Sequence, residues 1–343
     1  MLSPAIPEDE AKRIAALRSL NVLFTPAEGR FDRITRLASR LLGTPIALVS
    51  LVGESCQWFK SSQGLDATET TRCVSFCGHA ILSDEVLVVE NALLDERFAD
   101  NPLVTGDPQI RFYAGHPLHA PDRSRIGTLC LIDRVPRSLS IEQRKLLGDL
   151  AHFAEEELQR FALNDSQRTL LDSADDLQRR TLLDPRTRVW NRAAIERLLD
   201  AEMQSAPHSR NIQIVVIGLD NLAEIGALHG SGACDAALAE FAQRIRRIAR
   251  SGDSIGYLGD GTFLVVMADC DLEFAVRVSR EIRKFAIQEA FVTAAALILP
   301  VVHVGVTSTD SVLRLPGQTL AATVVASACA ARISCVPSLA GGS

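Results

Sequence analysis

The stretch RSGDSIGYLGDGTF, Arg250–Phe263, decides how the second half of this chain is interpreted. It belongs to a segment, Ser254–Ala268, whose apolar residues on either side of a glycine-rich tip predict a β-hairpin. An Arg-x-x-Asp, Arg250–Asp253, ends five residues before the tip. Arginine offers a planar fork of donors and aspartate offers acceptors, and two residues three apart near a helix end can face one ligand.

The elements around the hairpin predict a ferredoxin-like α/β palm. Ile212–Gly218 is a continuous apolar run, which is typical of a central strand buried on both faces. The remaining elements expected from periodicity are helices at Cys234–Ala249 and Leu272–Ile287 and strands at Ala290–Leu299 and Val301–Val306.

The segment LLDPRTRVWNRAAIERLL, Leu182–Leu199, adds a second motif. With the hairpin, it resembles the GGDEF domain of diguanylate cyclases, which join two GTP molecules into cyclic di-GMP. The opening motif of that family keeps four of its residues here and has Arg188 in place of its glycine; the kept residues are Asp184, Thr187, Asn191 and Arg192. We place a degenerate GGDEF domain at residues 184–335 and a flexible tail at 336–343.

The resemblance implies two magnesium ions held by carboxylates, yet the positions that should carry catalysis hold other residues. Asp220 matches only the second aspartate of the first-strand motif. No lysine follows Lys284, although the family uses a late lysine on phosphate. The positions without the expected side chain are Gly218, Gly226, Ala227, Gly261 and Thr262. We therefore expect no catalytic residues, no metal site, no cofactor and no enzyme activity.

The Arg-x-x-Asp matches the product-binding inhibitory site of the same family. Arg250 suits a guanine edge or a phosphate, and Asp253 suits the N–H edge of guanine. Arg277, Arg280 and Arg283 are the candidates for an additional arginine, with Arg277 and Arg280 preferred, although the family's usual place for it falls on Glu281. The alternative is a surface salt bridge between Arg250 and Asp253, worth about 0.3 kcal/mol.

Four stretches of the first half resemble a GAF domain, a small-molecule sensor with a central antiparallel sheet and flanking helices. They are RCVSFCGHAI (Arg72–Ile81), LVVENALLDERFADNPLV (Leu87–Val104), IRFYAGHPL (Ile110–Leu118) and GTLCLIDRVPRSLS (Gly127–Ser140). We place this domain at residues 26–160, after an N-terminal helix within residues 1–25. The whole chain is thus predicted to be α+β, with a helical linker between the two domains.

Six residues of the first domain are candidates for lining a ligand pocket: Arg72, Phe76, Cys77, His79, Phe112 and Tyr113. The alternative is that the aromatic rings pack the sheet and the polar groups brace loops. Cys73, Cys77 and His79 lack the paired Cys-x-x-Cys spacing of a zinc site. Cys73 and Cys77 could instead be redox-active, and Cys130 is expected to be a core residue.

Apolar residues recur at helical spacing from Leu147 through Leu150 and Ala154 to Phe161, with an interruption at Asn164–Ser166. We interpret residues 141–183 as a signalling helix, with 161–183 as the linker, that pairs with its copy in a homodimer. The alternative is a helix folded back onto one GAF domain.

Composition sets the remaining limits. The 343 residues suggest two domains, and the net charge of −6 argues against bulk nucleic-acid binding. No apolar run reaches the length of a membrane span, and the scattered cysteines are typical of the cytoplasm. The sequence therefore predicts a cytoplasmic cyclic di-GMP receptor that signals through an unidentified protein. The alternative is an interaction scaffold that needs no nucleotide, and an active diguanylate cyclase is a third, less favoured one.

Overall fold

A computed structural model describes residues 1–160, 163–205, 212–250, 252–268, 270–287, 290–292 and 297–308. The chain divides into two compact units, residues 1–161 and 162–343. The predicted tail and the end of the predicted second domain lie outside the described residues. So does Phe161, the last residue of the first predicted seam.

Unit 1 is a six-stranded antiparallel sheet with helices. Its strands follow the order β3-β2-β1-β6-β5-β4. A 3₁₀ turn at Arg72–Val74 leads into α3. The elements are α1 (Glu10–Ser19), α2 (Gly29–Leu42), β1 (Ile46–Val52), β2 (Cys56–Gln63), β3 (Glu69–Thr71), α3 (Phe76–Ala80), β4 (Leu87–Val89), α4 (Pro102–Thr105), β5 (Phe112–His119), β6 (Arg125–Asp133) and α5 (Ile141–Gln159).

Local chemistry explains the boundaries of two helices in this unit. Gly43 ends α2 in the left-handed region, at φ 66°, where glycine has no steric penalty. Ser140 begins α5 with a capping box, because its side chain accepts from the Gln143 N–H and the Gln143 side chain accepts from the Ser140 N–H. The α-helix predicted in the first 25 residues is α1, and the Arg13 guanidinium on it donates to the Val52 carbonyl at 2.6 Å.

Unit 2 has a four-stranded antiparallel sheet in the order β12-β7-β9-β8. Numbered within this sheet alone the order is 4-1-3-2, that of the predicted ferredoxin-like palm, and β10 and β11 pair as a separate two-stranded sheet. The elements are α6 (Asp165–Asp172), α7 (Asp176–Thr181), α8 (Arg192–Ser205), β7 (Gln213–Leu219), α9 (Leu222–His229), α10 (Ser231–Ile248), β8 (Ser254–Gly259), β9 (Thr262–Met267), α11 (Leu272–Ile287), β10 (Phe291–Val292), β11 (Leu297–Ile298) and β12 (Val302–Ser308).

The signalling helix predicted for residues 141–183, with one interruption at Asn164–Ser166, is more divided than the sequence indicated. The described residues of this range form three separate helices, α5, α6 and α7, and each begins with its own capping box. Leu147, Leu150 and Ala154 are buried within unit 1, where α5 packs against α2 and β5. The apolar stripe reflects a helix folded back onto its own domain, because the sheet and α2 already cover it. Leu177 on α7 is exposed. The homodimer stays a prediction, but it does not form through Leu147, Leu150 and Ala154.

Candidate functional site

Arg250 and Asp253 form a close ion pair at the end of α10. The Arg250 guanidinium donates to Asp253 Oδ1 through Nε at 3.1 Å and through a terminal nitrogen at 2.8 Å. The Arg250 main-chain N–H donates to Asp253 Oδ2 at 2.8 Å. The Asp253 side chain is 1% exposed and that of Arg250 is 41% exposed. The pair is therefore not the surface salt bridge weighed above, since only the arginine faces solvent.

Burial and pairing act in opposite directions on these two groups. Burial raises the pKa of Asp253, and the hydrogen bonds from Arg250 offset this only in part. Burial also acts to lower the pKa of Arg250, but the hydrogen bond to Asp253, the charge of Asp253 and the nearby Cys270 together outweigh it, so that the pKa of Arg250 is raised. Arg250 consequently stays a cation at any physiological pH.

The ring of Phe274, on α11, is in contact with both Arg250 and a second arginine. The guanidinium carbon of Arg250 is 4.9 Å from the centre of the Phe274 ring, and that of Arg277 is 5.1 Å from it. Both distances are within the range of a cation–π contact. Arg277 is exposed, so the structure places an exposed second cation near Arg250.

The other two positions considered on α11 differ in their placement. Glu281 follows Phe274 by seven residues, which is two helical turns, and so shares its face. Arg280 follows Phe274 by six residues and points about a third of a turn away. Both are exposed. The structure thus brings Arg277 to the site but not Arg280.

The first turn of α6 is attached to the loop that carries Asp253. The Asn164 side chain donates to the Gly252 carbonyl at 3.1 Å. The Gln167 side chain donates to Ser254 Oγ at 2.8 Å. Both residues belong to the capping box of α6, so these contacts fix the residues on either side of Asp253.

The end of β7, where a carboxylate was expected, is occupied by a histidine. His303 on β12 lies opposite Gly218 in the strand register. A β-carbon on Gly218 would lie 1.9 Å from His303 Cε1. His303 Nδ1 is 2.6 Å from Asp220 Oδ1, and its Nε2 is buried without a hydrogen-bond partner among the described residues.

The hairpin tip is closed against β7. Asp260 and Gly261 form the two-residue turn, with φ values of 49° and 77°, as a type I′ turn requires. The Leu219 N–H donates to the Gly261 carbonyl at 3.0 Å. A β-carbon on Gly261 would lie 2.7 Å from the Leu219 carbonyl oxygen. An acidic side chain does not fit at position 261 in this conformation, and Asp260 is exposed.

The six pocket candidates of unit 1 do not lie together. Arg72 is buried and bound to Glu10 and to the Gly53 carbonyl, which makes it a brace between α1 and the sheet. Phe112 and Tyr113 are adjacent on β5 and face opposite sides of the sheet. His79 is half-buried, with Nε2 3.0 Å from the Leu2 carbonyl, and burial lowers its pKa.

Three of the six candidates, Phe76, Cys77 and Tyr113, do contact one another in a buried cluster. Phe76 stacks on Phe98 with ring centres 4.0 Å apart, and its ring centre is 5.2 Å from that of Tyr113. The Tyr113 hydroxyl donates to Cys77 Sγ at 3.3 Å. Cys77 Sγ is also 3.7 Å from Cys130 Sγ, so the nearby thiol is Cys130 and not Cys73, which is exposed.

Three residues important at these sites were missed in the sequence, for different reasons. Phe274 was detectable, because it precedes Arg277 by one helical turn. His303 gave no local signal, since it lies 83 residues from Asp220. Gln57 donates to Cys77 Sγ at 3.2 Å, and as a polar residue in a buried strand it could have been noticed.

The family models match both halves of the chain. The GAF domain model matches residues 26–158, and the model described as diguanylate cyclase, GGDEF domain, matches residues 181–311. The chain carries a GAF domain followed by a GGDEF domain. Its fold is accordingly α+β, as the sequence predicted.

Two curated relatives show how much of the GAF–GGDEF chain is shared. Cyclic di-GMP phosphodiesterase PA2567 of Pseudomonas aeruginosa is 45% identical over 154 residues, which is 45% of this chain and 26% of that protein. Diguanylate cyclase DgcP of Escherichia coli is 30% identical over 158 residues, which is 46% of each chain. The alignments thus span about a quarter and just under half of these relatives.

Solved structures resemble part of the chain at lower identity. The FimX GGDEF domain from Pseudomonas aeruginosa is 21% identical, with a TM-score of 0.40, and the match covers 44% of this chain and 90% of that one.

Two observations concern ions and membranes. Within the described ranges, no three His, Cys, Asp or Glu side chains gather as a metal site would require. None of the described helices has the length and apolar character needed to cross a membrane.

Proposed function

We propose that this GAF–GGDEF chain is a cyclic di-GMP receptor without cyclase activity, which binds at Arg250 and Asp253 and signals through protein contacts. The observation that carries the proposal is the exposed Arg250 guanidinium, oriented by buried Asp253 and by Phe274, with Arg277 on the same ring. Two cations beside an aromatic ring suit a ligand with phosphates and flat bases. The names of both curated relatives concern the same messenger, which supports this choice of ligand.

The side chains available as metal ligands near the end of β7 support the absence of catalysis. A site for two magnesium ions needs carboxylate oxygens at fixed positions. Position 218 has no side chain and its space holds the His303 ring, while position 261 excludes a side chain. The Asp220 carboxylate is engaged by His303, and Asp260 lies on the turn. These residues do not fit two magnesium ions. We expect no cyclic di-GMP from purified protein with GTP and magnesium, and its formation would refute this part of the proposal.

Calorimetric titration of the full chain with cyclic di-GMP tests the receptor function. We expect binding to the wild type and a loss of at least tenfold in affinity for Arg250→Ala, because the ligand loses a bidentate cationic partner. Arg280→Ala is the matched control, since Arg280 lies on α11 but off the face of Phe274, and it should bind as the wild type does. No binding by the wild type, or equal binding by Arg250→Ala, would contradict the proposal.

A second candidate, a scaffold that needs no nucleotide, is favoured by one feature. Both oxygens of Asp253 already accept hydrogen bonds from Arg250, and Glu281 adds a negative charge on the Phe274 face of α11. A ligand must displace part of the ion pair and tolerate that charge. The immobilised protein can be used to capture binding partners in the presence and in the absence of cyclic di-GMP, and this experiment distinguishes the receptor from the scaffold. Nucleotide-dependent recovery supports the receptor, and identical recovery supports the scaffold.

A further inference from the structure

Cys77 Sγ lies in a buried cluster of polar groups that is unlike the surroundings of an ordinary core cysteine. Cys77 is on α3, and its sulfur receives hydrogen bonds from the Tyr113 hydroxyl at 3.3 Å and from the Gln57 amide at 3.2 Å. Ser50 and Thr128 lie opposite each other on β1 and β6, and their hydroxyls help to lower the pKa of Cys77. Neither hydroxyl makes a full hydrogen bond to another described group.

This arrangement favours a charged sulfur. A cysteine in apolar surroundings has a raised pKa and is inert, whereas donors that converge on sulfur stabilise the thiolate. Burial acts to raise the pKa of Cys77, yet the hydrogen bonds to its sulfur, first that of the Cys130 thiol and then those of Thr128, Tyr113 and Ser50, together outweigh burial and lower the pKa. Cys130 behaves oppositely, because burial and the neighbouring Cys77 raise its pKa well above the usual value, so it remains a thiol.

The second thiol is placed to complete a reaction. The two sulfur atoms are 3.7 Å apart, and a disulfide requires about 2 Å between sulfurs, so a modest side-chain movement joins them. Cys77 and Cys130 are 53 residues apart in sequence, on α3 and β6. The bond would therefore tie α3 to the centre of the sheet.

We propose that Cys77 and Cys130 form a dithiol that is oxidised to an intramolecular disulfide by small hydroperoxides. In the first step the Cys77 thiolate attacks one peroxide oxygen. An S–O bond forms, the O–O bond breaks and the sulfur loses two electrons. The departing hydroxide, or the alkoxide of an organic hydroperoxide, takes up the proton that the Cys77 thiol released and leaves as water or an alcohol. In the second step the Cys130 sulfur attacks the sulfenic acid. An S–S bond forms, the S–O bond breaks, and the hydroxyl leaves as water with the Cys130 proton.

Burial selects the oxidant. Cys77 and Cys130 are 1% and 0% exposed, so a bulky disulfide such as oxidised glutathione has no straight path to either sulfur. Hydrogen peroxide is close to water in size. Local opening of α3, which has five residues, is sufficient to admit it.

The test uses the reduced full chain with hydrogen peroxide, followed by alkylation in denaturant and mass spectrometry of non-reduced peptides. We expect a linked Cys77–Cys130 peptide in the wild type and equally in Cys73→Ser. Cys130→Ser, treated with peroxide and then unfolded in denaturant that contains dimedone, should carry a dimedone adduct at Cys77, and oxidised glutathione should give no mixed disulfide with the folded protein. Free, alkylated Cys77 and Cys130 in the wild type, with oxidation confined to exposed Cys73, would overturn the proposal.

A second variant tests the role of the donors without removing a cysteine. Tyr113→Phe keeps the ring and deletes the hydroxyl that donates to Cys77. We expect it to slow disulfide formation at least fivefold while Cys73 alkylation is unchanged. An unchanged rate of disulfide formation in a folded Tyr113→Phe protein would contradict the role assigned to the cluster.

Discussion

The imidazole of His303 lies so close to the main chain of Gly218 that a β-carbon on Gly218 would be 1.9 Å from its Cε1 atom. The two residues face each other across β12 and β7, and His303 Nδ1 also engages Asp220. The missing side chain at position 218 and the placement of the ring are thus mutually dependent. Restoring a carboxylate at position 218 requires that the ring leave.

Gly218→Ala should destabilise unit 2. The added methyl group overlaps the partly buried His303 ring held by Asp220, and such overpacking costs about 1–3 kcal/mol. Gly232→Ala is the control, because a β-carbon there meets nothing within 4 Å and alanine favours the helix. Urea unfolding measures the free energy of unfolding of both variants. The double variant Gly218→Ala/His303→Ala should recover part of the stability that Gly218→Ala loses. If Gly218→Ala were as stable as the wild type, the His303 ring would have moved aside at no cost, which would contradict this prediction.

Leu150→Glu should unfold unit 1, because it places a charge among buried side chains at a cost of several kcal/mol. Phe153→Glu on the same helix should be tolerated, since Phe153 is 55% exposed. Circular dichroism with sedimentation separates unfolding from dissociation. A folded, monomeric Leu150→Glu protein from a dimeric wild type would restore the seam as an interface between chains.

Unit 1 should lose stability in acid through Glu10. Burial acts to raise the pKa of Glu10, but hydrogen bonds and charges from Arg13 and Arg72 lower it from 4.5 to about 2. A carboxyl group whose pKa is lower in the folded than in the unfolded protein stabilises the folded state at pH values above its unfolded pKa. This stabilisation is lost as the pH falls through its folded pKa. The loss therefore lies between about pH 4.5 and pH 2.

Glu10→Gln tests this acid dependence. At pH 7 it should destabilise unit 1 by about 1–3 kcal/mol, because Arg13 and Arg72 lose a charged partner. The difference from the wild type should shrink as pH falls, in urea unfolding curves recorded from pH 7 to pH 3. Glu8→Gln, at an exposed position, is the control. A constant difference across that range would contradict the assignment.

Phe274→Ala should weaken cyclic di-GMP binding even though the substitution removes no charge. The ring is the surface against which Arg250 and Arg277 are placed, and a cation–π contact at an exposed site is worth about 0.5–1 kcal/mol. Calorimetry should show a loss of a few-fold, smaller than that of Arg250→Ala. Unchanged affinity would mean that the ring only packs α11.

The sequence predicted those parts of the molecule that depend on local pattern. The helix at Leu272–Ile287, the apolar run of β7 and the hairpin around Gly259 follow from residue preferences within a few positions. The contacts that define the sites do not, because they join residues distant in sequence, such as His303 with Asp220 and Cys77 with Cys130. The stripe through Leu147 and Leu150 has the same pattern whether a helix packs on its own sheet or on a second chain. Sequence therefore could not decide between the two alternatives.

The first turn of α6 is fastened to the chain on both sides of Asp253, through Asn164 to Gly252 and through Gln167 to Ser254. A ligand that draws the Asp253 carboxylate outward must either pull that turn along or break both hydrogen bonds. Since α6 lies between the two matched domains in sequence, a ligand at the proposed site would place tension on the connecting chain or release it. Information would then leave the site mechanically, with no product made.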